Sequence, residues 1–385
     1  MVAIGDLSGS GGAERQFSDL YEYLHRTTPG RVVLVTDKAS QQRLREAGRL
    51  QSIDGVVALG LGRRVAQSKI GIARLTIALL METVGRGWDV VHICLPTPSY
   101  VPFAALLTAL PRAWRPRVAV TVIDCTVAPN LAGNTPADLY EQQVMDAHRL
   151  YFKWTVLDGV YTWYRSFVDA AKSLRLFPAG TTVTPARHCF TDPARFKPQA
   201  VKENVAVFAG RFSTQKRPLL FVDAVASLRR RHPAVIGGWR FEMYGGGVLE
   251  PEVRARIAEH GLGDLITVSR VPDLAPVFAK TRVFVSTQAF ENFTSLAMLE
   301  AMAAGNAVIA EDVGQTREFV KHGENGLLVS PASADAFADA IAEYIRRPEL
   351  SAPMAAASRA MTTEVHTIEN FAADITAFWS GLAVE

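Results

Sequence analysis

The sequence predicts an α/β protein made of two doubly wound, Rossmann-like domains. Three observations predict it. Short runs rich in Val and Ile alternate with longer amphipathic stretches; the runs are too short and too apolar to be anything but covered strands; and 385 residues at 49% hydrophobic content suffice for two cores. In the first half the runs are Val32–Val35, Val56–Leu59, Val90–Ile93, Val118–Ile123 and Val160–Thr162. In the second they are Val205–Ala209, Phe241–Tyr244, Ile266–Ser269, Val283–Ser286, Ala307–Ala310 and Leu327–Val329. Strands separated by helix-length stretches form βαβ units, and βαβ units form parallel sheets.

Between the halves the pattern lapses. Pro185 to Pro198 holds three prolines and a Thr191-Asp192 turn signal, and no regular element survives there. This places an interdomain linker and predicts domains 1–185 and 186–365. Beyond the last strand, Ser333 is positioned to cap a helix running through Ile345 that Pro348 stops. Residues 366–385 hold a closing helix near Ile368–Leu382, with Phe371, Ile375 and Phe378 on one face.

Charge excludes some classes of function. Lys and Arg number 41 against 38 Asp and Glu, a net +3, far from the basic excess of a chain that wraps nucleic acid. The balance is uneven: residues 1–185 carry +5 and residues 186–385 carry −2. Three cysteines, Cys94, Cys125 and Cys189, are odd in number and far apart, which fits neither a disulfide framework nor a structural zinc site. Reduced thiols and a cytoplasmic location are expected. The amino terminus lacks the pattern of a signal peptide, and no window approaches the roughly 18 apolar residues of a membrane span.

Three motifs carry chemistry. Gly9-Ser-Gly11-Gly12-Ala-Glu14-Arg15 follows a very short first strand and precedes the helical stretch Gln16–Arg26. Consecutive glycines allow close backbone approach, and a helix amino terminus offers N–H groups and a positive dipole end to a phosphate. The same glycines also make ordinary strand-to-helix turns, and the spacing is neither that of a P-loop nor that of a dinucleotide fingerprint.

The second motif, Val205-Ala-Val-Phe-Ala-Gly210-Arg211-Phe-Ser-Thr-Gln-Lys216-Arg217-Pro218, is a strand, a glycine turn and two cations five residues apart at a helix entrance. Ligands of open α/β sheets lie beyond the carboxyl ends of strands. Arg211 as a fork and Lys216 as a point charge suit a diphosphate there; a solvated helix start is the alternative, disfavoured because cations oppose the dipole at that end.

The third, Phe290-Glu291-Asn292-Phe293-Thr294-Ser295 followed by Leu-Ala-Met-Leu-Glu300-Ala-Met-Ala-Ala-Gly305, is a loop with a carboxylate, a helix capped by Thr294 or Ser295, and a second carboxylate within it. An acid in a Leu/Ala/Met helix is out of place on a buried side, so Glu300 is expected to meet ligand hydroxyls.

Together with Asp89-Val-Val-His92, Tyr244-Gly-Gly-Gly247 and Glu324-Asn-Gly-Leu-Leu-Val329, these motifs resemble the retaining glycosyltransferases of family 4, the glycosyl transferases group 1 of GT-B fold. The resemblance covers essentially the whole chain and is specific as a set. It implies two Rossmann-like domains facing a central cleft, an amino-terminal acceptor domain, a carboxy-terminal nucleotide-sugar domain and a final helix that packs back on the first. It implies that Arg211 and Lys216 hold the donor diphosphate, with Gly210 and Gly246 in the donor site. Glu300 then meets the ribose, Gly11 and Gly12 the phosphate from the opposite side, and Asn292, Phe293, Thr294 and Ser295 the donor loop. It also implies transfer of a hexose with retention, the leaving phosphate taking the acceptor proton, with no metal and no cofactor beyond the nucleoside diphosphate sugar.

The sequence departs from the family in two places. The usual carboxylate pair encloses seven residues, whereas Glu291 and Glu300 enclose eight, so strict spacing from Glu300 points to Asn292. Thr294 and Ser295 are preferred caps, which puts the extra residue in the loop and Glu291 on the donor sugar. At the strand end where the family often has a histidine, Ile123 or Asp124 stands instead. Asp124 is a candidate for contacting sugar or acceptor, with a helix or turn cap as the other reading. His92 beside an apolar run reads as structural, and so does His188 in the linker. Leu61–Met81 combines four cations with apolar residues; an ordinary core-facing helix is preferred over a membrane contact. An epimerase, a sugar phosphorylase and a catalytically silent nucleotide-sugar binder are the alternative functions, because fold does not determine chemistry.

Overall fold

The computed structural model describes residues 2–4, 7, 12–50, 55–59, 68–122, 139–289, 293 and 295–384. The chain divides into two compact units, residues 1–188 with 368–385, and residues 189–367. The boundary at His188 lies three residues past Pro185, inside the proline-rich stretch.

Unit 1 runs β1 (Val2–Ile4), α1 (Gly12–Thr27), β2 (Val33–Asp37), α2 (Lys38–Glu46), β3 (Val56–Leu59), α3 (Lys69–Thr83), β4 (Val90–Ile93), α4 (Val101–Ala109), β5 (Arg117–Val122), α5 (Leu139–Trp154), β6 (Gly159–Thr162), α6 (Arg165–Ser173) and β7 (Thr182–Pro185). The strands form one parallel sheet in the order β3-β2-β1-β4-β5-β6-β7. β4 and β6 are buried at every residue, the expected signature of a sheet covered on both faces. The edge strand β7 escapes the sequence pattern because its four residues, Thr-Val-Thr-Pro, are only half-buried and carry no continuous apolar run.

Unit 2 runs β8 (Val205–Ala209), α7 (Pro218–Arg231), β9 (Arg240–Tyr244), α8 (Glu250–Glu259), β10 (Ile266–Ser269), α9 (Ala275–Lys280), β11 (Val283–Ser286), α10 (Leu296–Ala303), β12 (Ala307–Glu311), α11 (Thr316–Phe319), β13 (Gly326–Val329), α12 (Ala334–Arg346) and α13 (Ser351–Ala360). Its parallel sheet is ordered β10-β9-β8-β11-β12-β13. The core packs Phe208, Phe221 and Phe241 against Val285, Phe337 and Ile341. Ser333 caps α12 as its sequence predicts, its hydroxyl accepting from the Ala336 amide at 3.1 Å.

The closing helix α14 (Ile368–Val384) belongs to unit 1 and packs beside α1, β4 and β6. Gly159 on β6 makes room for it, since a Cβ there would lie 2.7 Å from Leu382 and 2.8 Å from Phe378. His92 on β4 is the polar latch. Trp379 donates its indole N–H to His92 Nδ1 at 3.0 Å, and Thr121 lies 2.8 Å from Nε2. Tryptophan can only donate, so Nδ1 is the acceptor and Nε2 carries the proton toward Thr121. Full burial holds the imidazole neutral, down to about 3. His92 is therefore structural. Asp374 on α14 likewise accepts from the Arg187 and His188 amides at 3.0 and 2.9 Å and pairs with the His188 ring, fixing the end of the linker.

Candidate functional site

In a doubly wound sheet the strand order reverses at one place, and loops leaving the two strands there part company and open a crevice. In unit 2 that place lies between β8 and β11. The loop after β8 is Gly210–Arg217, and the residues after β11 are Thr287, Gln288 and Ala289.

These two loops are tied together. Thr287 Oγ1 donates to the Lys216 and Arg217 carbonyls at 2.8 and 2.9 Å, and the Ala289 amide donates to Gln215 O at 2.9 Å. Arg217 caps α7 in a left-handed conformation, φ 45°, and spends its guanidinium internally, donating to Thr287 O at 2.9 Å and pairing with Glu311. Lys216, the next residue, is half-buried and donates to Gln288 Oε1. Arg211 is exposed at the strand end. Of three cations in the motif, Arg217 thus holds the loop, Lys216 reaches Gln288 across the switch point, and Arg211 is exposed.

A second loop presses on the first. The Gly210 amide donates to Tyr244 O at 3.0 Å and the Phe212 amide to Gly246 O at 2.9 Å. The Tyr244-Gly-Gly-Gly247 turn therefore runs backbone to backbone along Gly210–Phe212, and a Cβ on Gly245 would sit 1.9 Å from Gly210 O. Gly245 and Gly247 also hold φ of 148° and 155°, so glycine is required there twice over. A pocket of about 830 Å³ opens at this junction, lined by Gly210, the Tyr244–Val248 turn, Arg270, Val271 and Leu274. That volume is within the range of small-molecule sites. Arg270 pairs with Glu250, and burial and the Glu242 carboxylate push the Tyr244 hydroxyl up in pKa.

The third motif enters beside β11. Ser295 occupies the cap position of α10, as expected of Thr294 or Ser295, but its hydroxyl makes no capping hydrogen bond. Phe293 is buried against Phe319 instead, and this aromatic contact anchors the helix entrance. Glu300 is 2% exposed within α10 and has interactions of its own, so a ligand hydroxyl would share the carboxylate with another partner. The far end of α10 is pinned. Lys202 Nζ donates to the Ala304 and Thr281 carbonyls at 2.7 Å each, and Asn306 Nδ2 to Ala301 O at 2.9 Å. Cations at a helix carboxyl end also complement its dipole.

The structure thus brings Gly210, Arg211, Lys216 and Gly246 together, with Phe293, Ser295 and Glu300 on the element that follows β11. Gly12 begins α1 in unit 1, four residues earlier than the helix start its sequence suggests. Gly11, Asp124, Glu291, Asn292 and Thr294 lie outside the described residues. Sequence reasoning missed Gln288, Thr287 and the Arg217–Glu311 pair; the polar triplet Ser286-Thr-Gln288 directly after an apolar strand was the available signal.

Residues 203–347 match the model of the glycosyl transferases group 1 family. The chain is 33% identical over 180 residues to the lipopolysaccharide core biosynthesis mannosyltransferase LpsB of Rhizobium meliloti (strain 1021), which is 45% of this chain and 50% of that protein. It is 33% identical over 181 residues to the D-inositol 3-phosphate glycosyltransferase of Pseudarthrobacter chlorophenolicus, 44% of this chain and 42% of that one. The chain thus spans half or less of the length of these relatives. Among solved structures, Anabaena Alr3699/HepE in complex with UDP and glucose superimposes over 98% of both chains with a TM-score of 0.70 at 17% identity. Sucrose-phosphate synthase (tll1590) from Thermosynechococcus elongatus does so over 100% of this chain and 99% of its own, at 0.74 and 20%. At these identities the likeness is one of fold.

Proposed function

We infer that this chain, which belongs to the group 1 glycosyl transferases through residues 203–347 and has the GT-B fold, transfers a hexose from a nucleoside diphosphate sugar to an acceptor hydroxyl. The observation that carries the reading is the unit 2 switch point, where Gly210 lines the pocket walled by the glycine turn, the Lys216 stem comes within 3.9 Å of a Cβ on Gly210, and Arg211 is the next residue in the chain. Two cations on the loop whose first glycine lines a nucleoside-sized pocket suit a diphosphate whose nucleoside enters it. The solved HepE structures with UDP and with UDP-glucose support this donor class, and the LpsB relative supports a hexose.

In this reading Arg211 and Lys216 neutralise charge developing on the leaving diphosphate, and Gln288 fixes the Lys216 ammonium before substrate arrives. Preorganised donors contribute most where charge appears only in the transition state. Glu300 serves the ribose, Glu291 the donor sugar, with Asn292, Phe293, Thr294 and Ser295 shaping the donor loop. Gly11, Gly12 and Asp124 are assigned to unit 1's share, the donor phosphate and the acceptor. Retention follows if the leaving phosphate itself takes the acceptor proton, so that no protein nucleophile is needed. The enzyme is proposed to be cytoplasmic and to work without a metal or further cofactor.

A thermal-shift screen of nucleoside diphosphate sugars in EDTA tests the proposal. A donor at 100 times its Kd should stabilise the protein by about 2.7 kcal/mol, and transfer should persist in the chelator. A shift or turnover that appears only with magnesium or manganese would overturn the metal-free reading; no shift with any donor would overturn the donor class.

A further inference from the structure

Tryptophan is usually well buried, yet Trp114 and Trp154 of unit 1 are 70% and 60% exposed. Met81 and Leu106 are exposed with them. The four share one place in the fold. α3, α4 and α5 lie side by side, and because the sheet is parallel each returns the chain to the N-terminal end of its next strand. Met81, Leu106 and Trp154 fall in the last turns of these three helices, and Trp114 in the short turn leading into β5. All four therefore line the rim at the strand N-terminal ends, away from the carboxyl ends of the strands.

The rim is also cationic. Lys153 holds its ammonium 5.3 Å from the Trp154 ring centre and has no ion pair among the described residues. Arg86, past the end of α3, and Arg112, in the turn that holds Trp114, are exposed and ion-paired with Glu82 and the buried Asp158. Ile70 and Ile77 extend the apolar stripe from Met81 along the outer side of α3, with Arg74 among them. α3 faces the core as expected, burying Leu75 and Leu79, and also shows large apolar side chains outward.

We propose that this rim seats on an anionic lipid surface, with Met81, Leu106, Trp114 and Trp154 entering the acyl boundary and Lys153, Arg86 and Arg112 meeting headgroup phosphates. Apolar side chains set among cations, with tryptophans at the edge, match an interfacial contact. Protein interfaces share tryptophan, methionine and arginine with this rim but deplete lysine, and the ammonium of Lys153 against the Trp154 ring favours lipid. No helix among the described residues is long and apolar enough to cross a membrane, so the contact is one of seating on the surface. The proposal rests on unit 1's surface alone and stands apart from the transfer reaction.

The test is cosedimentation of the full chain with phosphatidylcholine vesicles with and without phosphatidylglycerol, alongside tryptophan fluorescence. Partition is expected to require the anionic lipid, to weaken with salt and to shift the emission to the blue. Trp114→Ser with Trp154→Ser should lower the partition coefficient about tenfold or more while the melting transition stays cooperative, since each exposed ring is an anchor worth more than a factor of ten when buried. Lys153→Glu, an exposed site with no ion pair to lose, should lower it too, and Lys153→Arg should restore it. Equal partition to neutral vesicles, no partition at low salt, or variants that bind like wild type would each overturn the proposal. So would a concentration-dependent dimer that the tryptophan variants abolish, which would make a second copy the occupant of this face.

Discussion

The glycine turn after β9 makes the sharpest prediction, because three adjacent glycines meet three different obstacles. In Gly245→Ala the new methyl meets the Gly210 carbonyl oxygen at 1.9 Å, backbone against backbone, at a φ of 148° that L-residues rarely adopt. Strain of this kind costs about 1–3 kcal/mol and overpacking about 1–3 more, so a loss of roughly 2–6 kcal/mol is expected. Gly247→Ala meets Phe212 O at 2.5 Å with φ 155° and belongs to the same class. Gly246→Ala differs. The atoms nearest its methyl all belong to the Arg270 guanidinium, the end of a mostly exposed side chain, and its φ is ordinary. Swinging Arg270 away loses a surface pair with Glu250, worth about 0–1 kcal/mol. Gly263→Ala, with nothing within 4 Å, is the blank. Chemical denaturation of the four variants gives the stabilities, and donor-induced thermal shifts give occupancy of the pocket. We expect Gly245 and Gly247 to lose stability, and Gly246 to keep it while losing donor affinity. A Gly245→Ala variant within 0.5 kcal/mol of wild type would refute the claim that the two loops are locked backbone to backbone.

Arg211→Ala and Lys216→Ala should each cost roughly 2–4 kcal/mol in kcat/KM, as losing a donor to developing charge does, with folding intact; turnover within threefold of wild type for both would remove the diphosphate assignment. On one donor, Glu291→Gln should lower kcat/KM far more than Asn292→Ala, and the reverse order would mean that an amide has taken the carboxylate's place. For His92 the folded pKa of about 3 lies below the ordinary 6.5, so stability is fully present above pH 6.5 and is lost as pH falls toward 3. The loss at pH 4 should approach about 3 kcal/mol in wild type and vanish from the pH dependence of His92→Gln, while parallel pH profiles would contradict the neutral latch.

The sequence by itself determined the alternation of strands and helices, the two-domain division and the cation pair at Arg211 and Lys216. These are legible because a strand buried on both faces must be continuously apolar, and because cations before a helix amino terminus oppose its dipole and so stand out. Boundaries of half-buried elements were not legible. β7 has too little apolar character to register, and α1 starts inside the glycine loop, where composition suggests a turn. Ser295 takes the cap position of α10 without a capping hydrogen bond, and the buried Phe293–Phe319 contact lies at the same entrance. Only the tertiary structure decided how neighbouring polar residues divide their work. Lys216 and Arg217 are adjacent cations in the sequence, yet Arg217 is turned onto Thr287 and Glu311 while Lys216 meets Gln288, since partners from β11 and β12 arrive across the switch point. The same holds for His92, whose neutrality comes from complete burial and whose Nδ1 accepts from an indole contributed by the last helix, 287 residues away. Local pattern specifies elements; the protonation state or partner of a side chain depends on what distant segments bring against it.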